Sequence, residues 1–156
     1  MKNSFLILIL ILSSCSSKEI QTVQKKEIKV NQTARFEGDR LIQTLALQDE
    51  GNTVKVTGEI INPLNTELTL QTANPTLHLE ILHGGSMVLD QYEGMMFTME
   101  IRELKIDAKG KKTFEWKVEK SALPNGPLSV KGKWNIFLGE SQSEIQKEQS
   151  INFEKN

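Results

Sequence analysis

The stretch Leu128-Ser129-Val130-Lys131-Gly132-Lys133-Trp134-Asn135-Ile136-Phe137-Leu138 sets large apolar side chains at Leu128, Val130, Trp134, Ile136 and Leu138. They fall on every second position, with Gly132 filling the one gap. A period of two belongs to a strand, where alternate side chains face opposite sides of the sheet. The same alternation recurs on both sides of this stretch. Upstream lie Val54, Val56 and Ile60, then Leu68 and Leu70, then Leu77, Leu79 and Ile81. Phe97, Met99 and Ile101 follow, then Phe114, Trp116 and Val118; downstream come Ile151 and Phe153. Trp116 and Trp134 share the phase of the apolar residues around them, so both rings are expected in the interior. Between the runs stand turn formers: Asn62-Pro63, Asn74-Pro75, His83-Gly84-Gly85, Asp107 to Gly110, and Pro124-Asn125-Gly126-Pro127. Proline fixes φ and removes a donor, and glycine reaches φ > 0, so each cluster is expected to interrupt a ladder. Many short strands with such punctuation predict an all-β sandwich or barrel. The segment from Glu100 to Ile106 is compatible with one helical turn, but the surrounding pattern favours a strand.

Composition narrows the classes of function. The chain has 156 residues, with 38% hydrophobic, 25% charged and a formal net charge of -1. That is enough apolar material for one globular core, and it fits neither a disordered nor a collagen-like chain. The 19 basic and 20 acidic residues are spread along the whole length, so no positive field is built to hold a nucleic acid backbone. The single cysteine, Cys15, forms no internal disulfide and supplies too few thiolates for a zinc cluster.

Its neighbours give that cysteine a different role. Lys2 and Asn3 precede an unbroken apolar run from Phe5 to Leu12, which ends in Ser13-Ser14-Cys15. The run is too short to cross a bilayer, which takes about 20 apolar residues. A basic start, a short apolar stretch and small residues describe a secretory signal peptide. Leu12-Ser13-Ser14-Cys15 resembles a lipobox, the signature of bacterial lipoproteins, which implies cleavage before Cys15 and acylation of its thiol with palmitate-type chains. Two or three acyl chains anchor stably, because each buried methylene contributes about 0.8 kcal/mol. Ser16 is not the aspartate of an inner-membrane retention signal, so a lipid-anchored place in the cell envelope is expected, at the outer membrane if the cell has one. The polar segment that follows reads as a tether reaching roughly 25 Å as a flexible coil. Alternation of Ile28 and Val30 with lysines leaves part of it open to an edge strand. The expected organisation is a leader over residues 1–14, the lipidated cysteine and tether over 15–35, and a β-sandwich domain over 36–156.

Residues that could carry catalysis are sparse. His78 and His83 fall on opposite faces of an extended segment, with no acid expected beside them at a metal-ligand spacing, so no metal site and no cofactor are expected. Ser86 follows two glycines, yet the G-x-S-x-G elbow and its helix are missing. Asp90 and Glu93 flank Tyr92 and could serve as a carboxylate pair for glycoside hydrolysis, although acids near turns are ordinary surface residues. No glycine-rich loop leads into a Gly-Lys-Ser/Thr step. Asn31-Gln32-Thr33 matches a glycosylation sequon by spacing alone. The expectation is a protein that is not an enzyme.

One connection is unusual in being apolar. Tyr92-Glu93-Gly94-Met95-Met96-Phe97 gathers bulky side chains around a glycine. Together with Ile101-Arg102-Glu103-Leu104, the turn ending at Gly110, Lys112-Thr113-Phe114, Leu128-Ser129-Val130-Lys131-Gly132 and the early Asn62-Pro63, it resembles the intracellular proteinase inhibitor family of the BsuPI type. The resemblance covers roughly Val54 to Trp134. It implies an immunoglobulin-like antiparallel β-sandwich of about seven to eight strands, and proteinase inhibition as the activity. An exported, lipidated chain would meet a different protease from an intracellular one. The candidate partner-binding residues are Tyr92, Gly94, Met95, Met96 and Phe97. Strand alternation would turn Met95 and Phe97 inward and leave Tyr92 and Met96 as exposed anchors. The expected partners are the membrane, through Cys15, and a protease or other envelope protein; the alternative is a structural or adhesive envelope module with no protease target.

Overall fold

In the computed structural model, the described residues are 32–98, 100–138 and 145–155. They form an immunoglobulin-like all-β sandwich of nine strands: β1 (Gln32–Glu37), β2 (Ile42–Asp49), β3 (Thr53–Ile61), β4 (Leu68–His83), β5 (Ser86–Asp90), β6 (Ile101–Ile106), β7 (Lys111–Glu119), β8 (Gly126–Phe137) and β9 (Glu148–Lys155). One sheet runs β1-β2-β3-β7, and the other runs β5-β4-β8-β9 with β6 also on β4. Every pairing is antiparallel. The expected signal peptide, Cys15 and the expected tether as far as Asn31 lie outside the described residues, as does Met99. The first ladder begins at Gln32, ahead of Phe36.

Alternation places the core where period two put it. Val54, Val56 and Ile60 of β3 face Leu77, Leu79 and Ile81 of β4 and Val130, Trp134 and Ile136 of β8, all buried. Trp134 lies at the centre, with Phe114 of the opposite sheet edge-on to its ring at 6.0 Å. Trp116 is half-buried against the same cluster. Close approach of the two sheets here depends on Gly58. A Cβ at that position would come within 2.1 Å of Leu77 Cδ2 and 3.0 Å of Trp134 Cη2.

A polar seam joins the sheets at one end. The Gln43 side chain donates through Nε2 to the Gln146 carbonyl at 3.0 Å and accepts from the Gln146 N–H at 2.9 Å. Its amide thus stands in for a backbone partner of the segment entering β9. Gln149 donates to the Gln43 carbonyl, and its Oε1 accepts the Trp134 indole N–H at 2.9 Å. Each of these buried amides therefore has the partner that burial requires.

Two local readings change. Asn74-Pro75 does not end a strand: β4 runs through it, and a register shift against β8 between Thr72 and Leu77 accommodates the proline, which has no ladder donor to give. The strand expected to run inward through Phe97 and Ile101 is also overturned. Phe97 lies outside any strand, and Ile101 opens β6 with 64% of its surface exposed. Leu104 and Ile106 carry the inward face of β6 instead, because its register against Leu70 and Leu68 fixes the opposite parity.

The double partnership of β4 positions the loop that matters most. Its first half pairs β6 through Leu68–Ala73, and its second half pairs β5 through Glu80–His83. Both partners lie on the side of β4 away from β8, so the loop that follows β5 leaves the sheet edge from between them.

Candidate functional site

Backbone contacts build the loop upward from the end of β5. The Gln91 N–H donates to the Leu79 carbonyl at 3.0 Å, extending the ladder past Asp90. The chain then turns: Met95 N–H donates to the Tyr92 carbonyl at 2.9 Å, and Gly94 takes φ 75°, the left-handed region that favours glycine. Nothing lies within 4 Å of where a Gly94 Cβ would sit, so backbone conformation and not crowding selects the glycine.

The side chains of this loop form two tiers. Tyr92 and Phe97 are half-buried and meet edge to face at 4.8 Å, with the Tyr92 ring also 5.8 Å from that of His78 on β4. Above this pedestal Met95 is 64% exposed and Met96 97% exposed. The alternation that would have turned Met95 inward fails because residues 91–94 form a turn, in which period two does not operate. Tyr92, expected outside, is half-buried because its backbone N–H is held by Asp90 Oδ1 at 2.8 Å. Met87, Val88, Met95, Met96 and Ile101 are the exposed large apolar side chains of the described residues, and all belong to β5, this loop and the start of β6.

Beneath the pedestal is a charge cluster that sequence reading missed. His78 Nε2 lies 2.6 Å from Asp90 Oδ1, and Lys133 Nζ donates to Glu80 Oε1 at 2.5 Å. Glu80 stands two residues after His78, on the same face of β4, and is paired in register with Asp90 on β5. The spacing of Glu80 was visible in the sequence, contrary to the expectation that no acid accompanies the histidines; the arrival of Asp90 needed the β4–β5 register. Ligand atoms of His78, Glu80 and Asp90 lie within 4.8 Å of one another, close enough to share a metal ion. Each carboxylate here already faces a cation or donor, and a divalent ion would have to displace the Lys133 ammonium from Glu80. The arrangement is that of a compensated ion cluster fastening the loop to the sheet.

Burial works against ionisation of Asp90, yet the Tyr92 N–H, the His78 hydrogen bond and the nearby charges of His78 and Lys133 outweigh it and hold its pKa below the ordinary 3.8. A depressed carboxylate contributes stability that is complete above its unfolded pKa and is lost as pH falls through the lower folded value. The wild type should therefore keep this contribution down to about pH 4 and lose it below. Asp90→Asn should flatten that acid limb in a pH series of urea melts, and an unchanged limb would assign the acid sensitivity to other carboxylates. Burial also raises the Tyr92 phenol above 10.0, keeping it neutral. His83, on the far side of the strand, neighbours Gly126 and takes no part in the cluster. Ser86 lies exposed beside the Gly84-Gly85 turn, and the Glu93 side chain is exposed on the loop, apart from the Asp90 bonds.

No family model matches the chain, and no curated protein matches it. Among solved structures it is similar to a DUF1425 family member from Shewanella sp. pv-4, with 15% identity over 72% of this chain and 94% of that one, at a TM-score of 0.33. A protein from Archaeoglobus fulgidus shares 10% identity over 80% and 96% of the two chains, with a TM-score of 0.37. A β-glucosidase from Kluyveromyces marxianus shares 7% identity over 81% of this chain and 14% of its own length, at 0.33. At these identities and scores no chemistry carries over to this chain.

Proposed function

We propose that this protein is a lipid-anchored, non-catalytic binding domain of the cell envelope, which engages a macromolecular partner through the loop following β5. One observation carries the reading. The large apolar side chains left exposed among the described residues are confined to Met87–Ile101, and Met96, at 97% exposure, is carried on a loop whose base is fastened by ring packing and the His78–Asp90 contact. Concentrated apolar surface on an otherwise charged exterior marks an interaction site, and a fixed base reduces the ordering cost of binding. The resemblance to the BsuPI-type inhibitors makes a protease of the envelope the partner to test first.

Binding is expected to draw on the loop tip. Alanine at Tyr92 and Met96 together should weaken retention of a captured envelope partner by about thirtyfold or more, because a hot-spot truncation costs about 2 kcal/mol. Met96 makes no core contact, so Met96→Ala alone should leave the melting temperature unchanged and report the binding effect free of any loss of the Tyr92 pedestal. Undiminished binding by both variants would overturn the assignment. Absence of inhibition against every envelope protease tried would favour a structural or adhesive module.

Anchoring is tested separately. Cys15→Ser removes the thiol that would be acylated, and the chain should move from the membrane fraction to the soluble one or remain unprocessed. Retention of the wild-type membrane share in detergent-free buffer would contradict the lipoprotein reading.

A further inference from the structure

Methionine ordinarily fills gaps in cores, and this chain uses it in the opposite way. Of its five methionines, all but Met1 lie between Met87 and Met99. The buried core is built from leucine, isoleucine, valine, tryptophan and phenylalanine, with no methionine among the described residues. Met87, Met95 and Met96 are exposed by 57%, 64% and 97%. Three thioethers are thus open to solvent on the apolar surface of β5 and the loop after it, while the buried core among the described residues contains none.

We propose that Met95 and Met96, with Met87 on the adjoining strand, are a reversible oxidation site for peroxides that switches this patch from apolar to polar without disturbing the fold. The thioether sulfur attacks one peroxide oxygen. The O–O bond breaks, an S–O bond forms, and the departing hydroxide or alkoxide takes the proton of the sulfur-bound OH and leaves as water or an alcohol. Sulfur loses two electrons and the peroxide gains them. The product is a polar, chiral sulfoxide, which methionine sulfoxide reductases return to the thioether at the expense of a thiol reductant, one enzyme for each epimer. In most proteins sulfoxidation damages packing. Here none of the three side chains belongs to the buried core, and Met96 is almost wholly exposed, so the change falls mainly on the surface that a partner would meet. The consequence for docking rests on the proposed function; the oxidation site itself does not.

The test treats the detergent-solubilised full chain with graded hydrogen peroxide and maps sulfoxides by peptide mass spectrometry. Met96 should oxidise first, close to the rate of an unstructured methionyl peptide, followed by Met95 and Met87. The melting temperature should stay unchanged, and the oxidised protein should elute earlier from a phenyl hydrophobic-interaction column. Treatment with both reductases and dithiothreitol should restore retention. A Met95→Leu/Met96→Leu variant keeps the apolar surface without the sulfur, so peroxide should leave most of its retention intact. Slow oxidation of Met96, a fall in melting temperature that tracks its sulfoxide, or unchanged column retention would each overturn the proposal. If oxidation shifts retention while alanine at Met96 leaves a captured partner bound, the oxidation site stands and the docking reading fails.

Discussion

Trp134→Ala should lower the stability of the domain by about 3–5 kcal/mol, as large aromatic truncations in cores do. Against the about 5–15 kcal/mol typical of a folded domain, that loss brings the protein close to unfolding at ambient temperature. Three features put this residue at the upper end. The indole is 2% exposed and lies between the sheets. It meets Phe114 edge-on at 6.0 Å, a geometry favoured by the opposed polarity of ring face and ring edge. Its N–H is held by Gln149 Oε1, so truncation also orphans a buried carbonyl within the Gln43–Gln149 seam. The surrounding backbone is poorly placed to collapse into the cavity, because Gly58 is already at closest approach. Gly58→Ala probes the same contact from the other side and should be similarly damaging, since its new methyl group would meet Leu77 Cδ2 at 2.1 Å before any relaxation. Urea melts followed by far-ultraviolet circular dichroism measure both, with Trp116→Ala as the comparison: its half-buried ring should cost less. A loss below about 1 kcal/mol for Trp134→Ala would mean that the two sheets do not close over this ring.

The architecture was legible wherever alternation was uninterrupted. Val54, Val56 and Ile60, Leu77 to Ile81, and Leu128 to Leu138 all fall on the inner face as period two requires. β2 escaped because Gln43 sits in phase with Leu41, Leu45 and Leu47, and a polar residue there reads as a break. The physical reason for that glutamine lies far along the chain, in the Gln146 backbone it binds, so no local pattern could announce it. Leu41, Leu45 and Leu47 are the trace of that strand in the sequence, a run that tolerates one buried amide. The loop after β5 shows a second kind of limit. Its composition marked Tyr92 to Phe97 as unusual, but which side chains face out depends on a turn at Gly94 and on the hold of Asp90 on the Tyr92 N–H. Alternation rules stop at a turn. Asp90, Glu80, His78 and Lys133 come from three strands, and only the ladder register brings them together.

Asn62→Ala should be the most damaging substitution of a polar residue, costing about 3 kcal/mol or more, since each buried group left without a partner costs about 1–3 kcal/mol. Asn62 is fully buried just after β3. Its Nδ2 lies within 2.8–3.1 Å of the carbonyls of Thr66, Ile106 and Asp107, and its Oδ1 accepts the Leu64 N–H at 2.9 Å. Its own backbone N–H donates to the Gly110 carbonyl. One side chain therefore ties the β3–β4 connection to the β6–β7 turn, which crosses from one sheet to the other. Pro63 follows it with no N–H to offer, so neighbouring backbone cannot take over the same carbonyls. Alanine removes donor and acceptor together and leaves those groups facing apolar surroundings. Asn62→Asp separates bonding from packing. It keeps shape and the acceptor for Leu64, but it loses the donor and turns an anion toward three carbonyl oxygens. At neutral pH it should destabilise at least as much as alanine. Its folded-state pKa would be raised above the unfolded value, so the added penalty should fade as pH drops toward the ordinary carboxylate range. Urea melts of both variants at neutral and acidic pH read the two effects apart. An aspartate tolerated at neutral pH would show that the bonds from Nδ2 are not what closes this end of the sandwich.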